Sequence, residues 1–401
     1  MANFLFVVPP FWGHINPTLS LGKVLSEAGH AVAWASMIDI DHLIPEGAVC
    51  YKFHQEEKGE DTLGMAYFDE IKQKGQEVFG IQSIQYLYEK VLIPIGLYMG
   101  RILPDIIDDF LPDVIINDHQ AFAGAICAVR KNIPYATSIT APAAIKASLD
   151  FPKFLEWETE QIINLQKKLG VFGNKSIACS DQLSLVFSSK EFLGTEEFPD
   201  YYKFVGPLIE DRPTDAVFDW EYLKTISQPK ILISIGTIFS APSKRDFYLK
   251  VIDAFKDKNY LIILVADPDL FEQWPDNFIV QDKVPQLQLL PYLQAVICHG
   301  GHNTVCESME QGLPLIVLPI AFDQSQVASR VAELHIGIRL KFKRLKPEHL
   351  STALEKILND PEYAKASKKI GDSFQKGGGL PRVLKELDLL STNNFVKNDI
   401  I

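Results

Sequence analysis

Two successive series of buried strands and helices predict an α/β protein made of two Rossmann-like domains, each on a parallel sheet. Short apolar runs such as Phe4–Val8 and Lys230–Ile235 read as strands covered on both faces. Segments with helical periodicity lie between them, so the strands are joined by right-handed crossovers and run parallel. The pattern breaks between Gly206 and Thr214 and restarts at Lys230, which divides 401 residues into two domains of ordinary size.

In chain order, Phe4–Val8 is a strand bounded by Pro9 and Pro10. Asn16-Pro17 opens an apolar-periodic helix that ends at Gly29, with proline near its start and glycine at its end. Ala31–Ser36 restarts a strand. A second unit follows: the strand Pro112–Asp118, a small-residue helix over Ala121–Val129, then the strand Ile133–Ser138. Thr62–Ile107, rich in Phe, Tyr, Leu and Ile, and Ala147–Lys168 are expected to be helical excursions. The second series runs through Lys230–Thr237, Tyr260–Ala266, Phe278–Gln281, Ala295–Cys298 and Pro314–Leu318. The expected boundaries are 1–210 for the first domain, 211–228 for a linker and 229–380 for the second. Residues 381–401 form a last helix expected to pack back on the first domain. Ligands of such sheets sit at the carboxyl ends of the strands, so two facing sheets are expected to enclose a cleft.

Composition excludes several classes. A 47% hydrophobic and 22% charged chain is globular. With 39 basic and 51 acidic residues its net charge is −12, which argues against a nucleic-acid partner. Five scattered cysteines without CxxC spacing predict neither a disulfide framework nor a zinc site. The run Phe4–Val8 is too short for a signal peptide, and no apolar run approaches a bilayer span. The expectation is a cytoplasmic protein, with peripheral membrane contact left open.

The strongest chemical signal is Val296–Ser308. A strand runs into His299-Gly300-Gly301, and a helix begins near Asn303. That turn aims backbone N–H groups and a positive helix end at its occupant, for which a diphosphate is the natural choice. His299 and Thr304 add hydrogen bonds, and Glu307, one turn on, reaches ribose hydroxyls. Glycines alone would mean only a tight turn; His, Asn, Thr and Glu in register outweigh that reading. Asp323 and Gln324 follow another apolar strand and offer paired acceptors and donors to sugar hydroxyls, although Asp323 alone reads as a helix cap. His14, in the first βα turn, suits a general base, and Asp118, ending another strand, suits its orienting partner. Singly, these two read as a surface histidine and a cap.

Val284-Pro285-Gln286, His299–Thr304, Glu307, Pro314 and Asp323-Gln324, with Gly13–Pro17 at the front, resemble the UDP-glycosyltransferase family of GT-B fold. Leu318–Arg330 resembles its bacterial branch of zeaxanthin and macrolide glycosyltransferases. The resemblance implies that residues 1–210 bind the acceptor, with Thr62–Ile107 and Ala147–Lys168 lining its pocket (core packing accounts for the same residues), and that residues 229–380 bind the nucleotide sugar. It implies that His14 is the base and Asp118 its partner. Thr237, His299, Gly301, Asn303 and Thr304 would bind the diphosphate, Glu307 the ribose, and Asp323 and Gln324 the donor sugar. Val284 and Gln286 would flank the base. The implied reaction is direct displacement with inversion, moving glucose from a UDP-sugar co-substrate to a small apolar hydroxylated acceptor, a carotenoid, polyketide or phenolic. It requires no metal and no further cofactor.

Lys283 stands where many members stack an aromatic residue on uracil, which keeps a dTDP donor open. Asp39-Ile40-Asp41 and Asp267-Pro268-Asp269 spell the metal-binding DxD motif, but each follows a strand where a turn is due. Two alternatives remain: a non-catalytic nucleotide-sugar-binding partner, which would be expected to lose the His14–Asp118 pair, and an epimerase or glycan-forming enzyme, which would consume donor without added acceptor.

Overall fold

The computed structural model describes residues 1–53, 81–194, 197–209, 216–236 and 241–392. They divide into two compact units. The first holds the described residues up to 210 together with those from Phe374 onward; the second holds those between 211 and 373.

Strands of the first unit are β1 (Asn3–Val7), β2 (Ala31–Ser36), β3 (Val49–Lys52), β4 (Val114–Asp118), β5 (Tyr135–Ile139), β6 (Leu183–Val186) and β7 (Tyr202–Phe204). They form one parallel sheet in the order β3-β2-β1-β4-β5-β6-β7. The chain leaves β1 toward β2 on one side and returns to pair β4 on the other. The β1/β4 neighbourhood is therefore a topological switch point, where the loops after adjacent strands diverge and leave room for a ligand. Val7 pairs with Asn117 there, so the segments that follow both strands emerge side by side.

The second unit repeats this logic with β8 (Lys230–Ser234), β9 (Leu261–Val265), β10 (Phe278–Gln281), β11 (Ala295–Cys298), β12 (Leu315–Val317) and β13 (Gly337–Arg339). Its parallel sheet has the order β10-β9-β8-β11-β12-β13, and its switch point lies between β8 and β11.

Helix α1 (Trp12–Glu27) starts four residues before the expected Asn16, and Pro17 lies inside it. His14 is therefore in the first helical turn, not in a loop. At the sixth helical position Pro17 has no N–H to give the Gly13 carbonyl, so the helix forgoes one i→i−4 hydrogen bond there. Trp34 explains the rest of this packing. Its ring stacks on Phe6 at 4.9 Å, and its Nε1–H donates to Thr18 Oγ1 at 3.0 Å. A Cβ on Gly22 would lie 2.2 Å from that ring, so α1 approaches β2 this closely only with glycine at position 22.

The stretch read as one excursion over Ala147–Lys168 is two helices, Pro142–Asp150 and Pro152–Lys168. Of Thr62–Ile107, residues 62–80 lie outside the described residues, and Ile81 onward is helical to Phe110. Asp39 and Asp41 both pair with Lys52 Nζ, at 2.8 and 2.5 Å, and Asp267 caps its own turn by accepting from Asp269 N–H at 3.0 Å. Both DxD spellings are turn residues.

The C-terminal helix Gly379–Thr392 places Leu380, Val383, Leu387 and Leu390 in the core of the first unit, with Phe4, Phe6, Trp34 and Val205. The chain joins that unit from Phe374 rather than from 381. Close backbone approach fixes the crossing: a Cβ on Gly206 would meet the Phe374 carbonyl oxygen at 2.5 Å, and one on Gly377 the Val205 carbonyl carbon at 2.4 Å. Among the described residues no helix is long and apolar enough to cross a membrane.

Candidate active site

Each switch point carries a cluster of polar groups. In the first unit, α1 presents His14 beside Asp118 at the end of β4. His14 Nδ1 lies 3.0 Å from Asp118 Oδ1 and 2.7 Å from Thr140 Oγ1. The Thr140 hydroxyl donates to Asp118 Oδ2 at 2.8 Å, and the Gln120 N–H donates to Asp118 Oδ1 at 2.9 Å. These contacts assign the tautomer. The Thr140 proton is committed to the carboxylate, so both oxygens facing Nδ1 are acceptors and Nδ1 carries the hydrogen. Nε2 of neutral His14 then holds the lone pair, as a general base requires.

Asp118 is fully buried. Burial alone would raise its pKa, but the positive charges of His14 and His119 and the hydrogen bonds from His14 and Gln120 outweigh it and hold the carboxyl below its ordinary value. The carboxylate is thus ionised at neutral pH, and its charge favours the protonated form of an imidazole beside it. His119 lies on the other side of the carboxylate. Its ring is 7% exposed and stacks on His14 at 5.6 Å, with Nδ1 3.5 Å from Asp118 Oδ1. Burial lowers its pKa to about 4, so it is neutral at pH 7.

In the second unit, β11 runs into His299-Gly300-Gly301, and helix α2 (His302–Glu310) begins one residue before the expected Asn303. Gly301 is the N-cap and, without a side chain, leaves the first-turn N–H groups uncapped from that position. Gly300 has φ +93°, and a Cβ there would meet Val317 Cγ1 at 2.8 Å. The His299 ring lies against Gly236 and Gly301: a Cβ on either would come within 3 Å of the imidazole. Burial lowers the His299 pKa to about 4, and its buried Nδ1 has no hydrogen-bond partner. Thr237 lies outside the described residues.

Three predicted donor-site residues meet directly. Gln286 Nε2 donates to Glu307 Oε2 at 2.5 Å and to Thr304 Oγ1 at 3.3 Å, joining the segment after β10 to helix α2. Val284 is half-buried beside it, and Lys283 is exposed. Asp323 precedes helix α3 (Gln324–Glu333) at the N-cap position, yet its side chain does not cap the helix. The Gln324 side chain is buried, and its oxygen accepts from Ile320 N–H at 2.9 Å and Ala321 N–H at 3.1 Å. This loop is held in a tense shape, with Phe322 at φ +56°.

Sequence reasoning missed Thr140, which lies 126 residues from His14; only the β4–β5 pairing brings it there. The first unit also has an open hollow of about 400 Å³ lined by Ile81, Gln85, Phe151, Pro152, Lys153 and Phe154. Both aromatic-rich excursions contribute to it.

Residues 251–377 match the family described as erythromycin biosynthesis protein CIII-like, C-terminal domain. Among curated proteins, NDP-glycosyltransferase YjiC of Bacillus subtilis (strain 168) is 28% identical over 96% of this chain and 97% of its own length. Demethyllactenocin mycarosyltransferase of Streptomyces fradiae is 24% identical over 94% and 84%. Among solved structures, the spinosyn rhamnosyltransferase SpnG complexed with spinosyn aglycone superposes with a TM-score of 0.75 at 18% identity, over 97% of this chain and all of that one. The same enzyme has also been solved with thymidine diphosphate.

Proposed function

We propose that this chain, which belongs to the UDP-glycosyltransferase family of GT-B fold, moves glucose from UDP-glucose to a hydroxyl of a small apolar acceptor with inversion. The observation that carries the reading is the His14–Asp118–Thr140 constellation at the switch point of the first unit. It holds the proton on Nδ1 and leaves Nε2 as a base.

In this reading Nε2 takes the acceptor hydroxyl proton as that oxygen forms its bond to the anomeric carbon. The bond from that carbon to the diphosphate oxygen breaks on the opposite face. Negative charge developing on the leaving diphosphate is met by the first-turn N–H groups of α2 and by neutral His299, with Asn303 and Thr304 beside them. Glu307 takes the ribose, exchanging its bond to Gln286 for the hydroxyls. Asp323 and the amide nitrogen of Gln324 take the sugar. With leaving-group charge met by the helix end, no metal or further cofactor is required. The apolar acceptor class is supported by the hollow of the first unit, by a matching family named for erythromycin biosynthesis and by a similar structure solved with spinosyn aglycone.

The test is product formation from UDP-glucose and a panel of phenolic and macrolide aglycones with metals chelated, beside calorimetric titration of UDP and dTDP. Expected are a β-linked glucoside, micromolar UDP binding that survives His14→Ala, and loss of transfer in that variant. A non-catalytic binding partner would bind donor without turnover on any acceptor; an epimerase or glycan-forming enzyme would consume donor with no acceptor added. Failure of every nucleotide to bind would overturn the assignment of His299–Glu307.

A further inference from the structure

His119 is a buried imidazole for which the transfer reaction has no use. Both of its ring nitrogens are buried and neither makes a well-formed hydrogen bond, with Asp118 Oδ1 3.5 Å from Nδ1 and the Ser138 backbone near the ring, in a residue 93% removed from solvent. An unmet polar group in the interior costs about 1–3 kcal/mol, so a ring kept in this state invites a ligand. Its neighbours are the Asp118 carboxylate and the His14 ring, and ligand atoms of the three residues all lie within 4.8 Å of one another.

We propose that His14, Asp118 and His119 form a site for a divalent transition-metal ion of the zinc class, and that its occupation switches transfer off. Tetrahedral zinc with bonds of about 2.0–2.2 Å separates its ligand atoms by roughly 3.4 Å. The two edges that meet at Asp118 Oδ1 bracket this value: 3.0 Å to His14 Nδ1 and 3.5 Å to His119 Nδ1. Two imidazoles and a carboxylate are the donor set of open zinc sites, with one position left for water.

Inhibition follows from the tautomer. The ion bonds the Nδ1 lone pair of His14, so the hydrogen now on Nδ1 leaves to solvent and a proton from solvent takes its place on Nε2. Neutral His14 then carries its one proton on Nε2 and has no lone pair for the acceptor hydroxyl. For neutral His14 this is a change of tautomer, with no net proton released when the ion binds. The ion acts as an inhibitor, so the site agrees with a transfer reaction that needs no metal. This inhibitory step rests on His14 being the base; the binding site itself does not.

Cobalt(II) serves as the probe, titrated into the chelator-stripped full chain, with its visible d–d absorption and a calorimetric trace in two buffers of different ionisation enthalpy. Expected are one equivalent bound with a tetrahedral spectrum, a heat of binding at pH 8 that is the same in both buffers because no net proton is released, and transfer reduced at least tenfold while UDP affinity stays within twofold. His119→Ala and the milder His119→Gln, each checked for native circular dichroism and UDP binding, are expected to weaken cobalt binding at least tenfold. In chelator both keep transfer within a few-fold of wild type. No saturable binding below 1 mM, or binding undiminished in both variants, would overturn the proposal. Site-specific binding with transfer intact at saturation would uphold the site and overturn the role of His14 as base.

Discussion

Asp118→Asn removes one charge from the candidate active site while changing the side-chain shape little. Asp118 Oδ1 accepts from His14 Nδ1 at 3.0 Å and from the Gln120 N–H at 2.9 Å, while Oδ2 accepts from Thr140 at 2.8 Å. In the variant, the amide oxygen keeps the place that receives two donors, and the NH2 faces Thr140. The Thr140 hydroxyl must then accept, and its freed hydrogen points at His14 Nδ1, 2.7 Å away. That contact favours the tautomer with hydrogen on Nε2, which is not a base. The charge is lost as well: opposite unit charges centred about 4 Å apart attract by about 4 kcal/mol at an effective dielectric constant near 20. At about 1.4 kcal/mol per factor of ten, kcat is expected to fall about 10³-fold. Initial rates with UDP-glucose and a phenolic acceptor measure it, with UDP affinity as the control. A kcat within tenfold of wild type, or a loss located in UDP affinity, would refute the assignment of Asp118 to the base.

In Gly236→Ala, the added methyl meets the His299 ring at 2.8 Å from a backbone with φ +71°; UDP affinity should fall about tenfold, and unchanged titration calorimetry would count against His299 as a diphosphate contact. His299 also makes stability depend on pH. Its folded pKa is about 4, below the ordinary value near 6.5, so the unfolded chain binds more protons between those values. Its contribution is complete above pH 6.5 and is lost as pH falls through 4, by up to about 1.4 kcal/mol per unit. Urea midpoints at pH 7.5 and 5 should therefore converge for wild type and His299→Asn as pH falls; parallel trends would sink this account. Leu387→Ala, at a fully buried position of the C-terminal helix, should cost about 2–5 kcal/mol in denaturant unfolding. A loss below about 1 kcal/mol would mean that this helix is not part of the core of the first unit.

Local signals made some of the fold legible. Phe278–Gln281 and Ala295–Cys298 have the bounds expected from the sequence, because a short apolar run between turn residues has few alternatives. The phosphate-type turn was visible for a similar reason: a strand end, two glycines and a helix start are all set by contiguous residues. The start of α1 was misplaced because Pro17 in Asn16-Pro17 imitates a helix opening, whereas the helix begins at Trp12. Strands β7 and β13 are three residues each, too short for alternation to register.

By itself, the sequence determined what chemistry each segment can offer: the imidazole at position 14, the carboxylate at 118, and the glycine turn that opens α2. Tertiary structure decided which of these meet. Thr140 joins His14 and Asp118 only because β5 pairs with β4, and His119 becomes a buried ring only because β4 is an inner strand. Gln286 reaches Glu307 across the second sheet, and the C-terminal helix completes the core of the first unit. The physical reason is that side-chain type and local backbone preference act over a few residues. Burial, hydrogen-bond partners and the proton's place on a histidine depend on neighbours that the chain supplies from more than a hundred residues away.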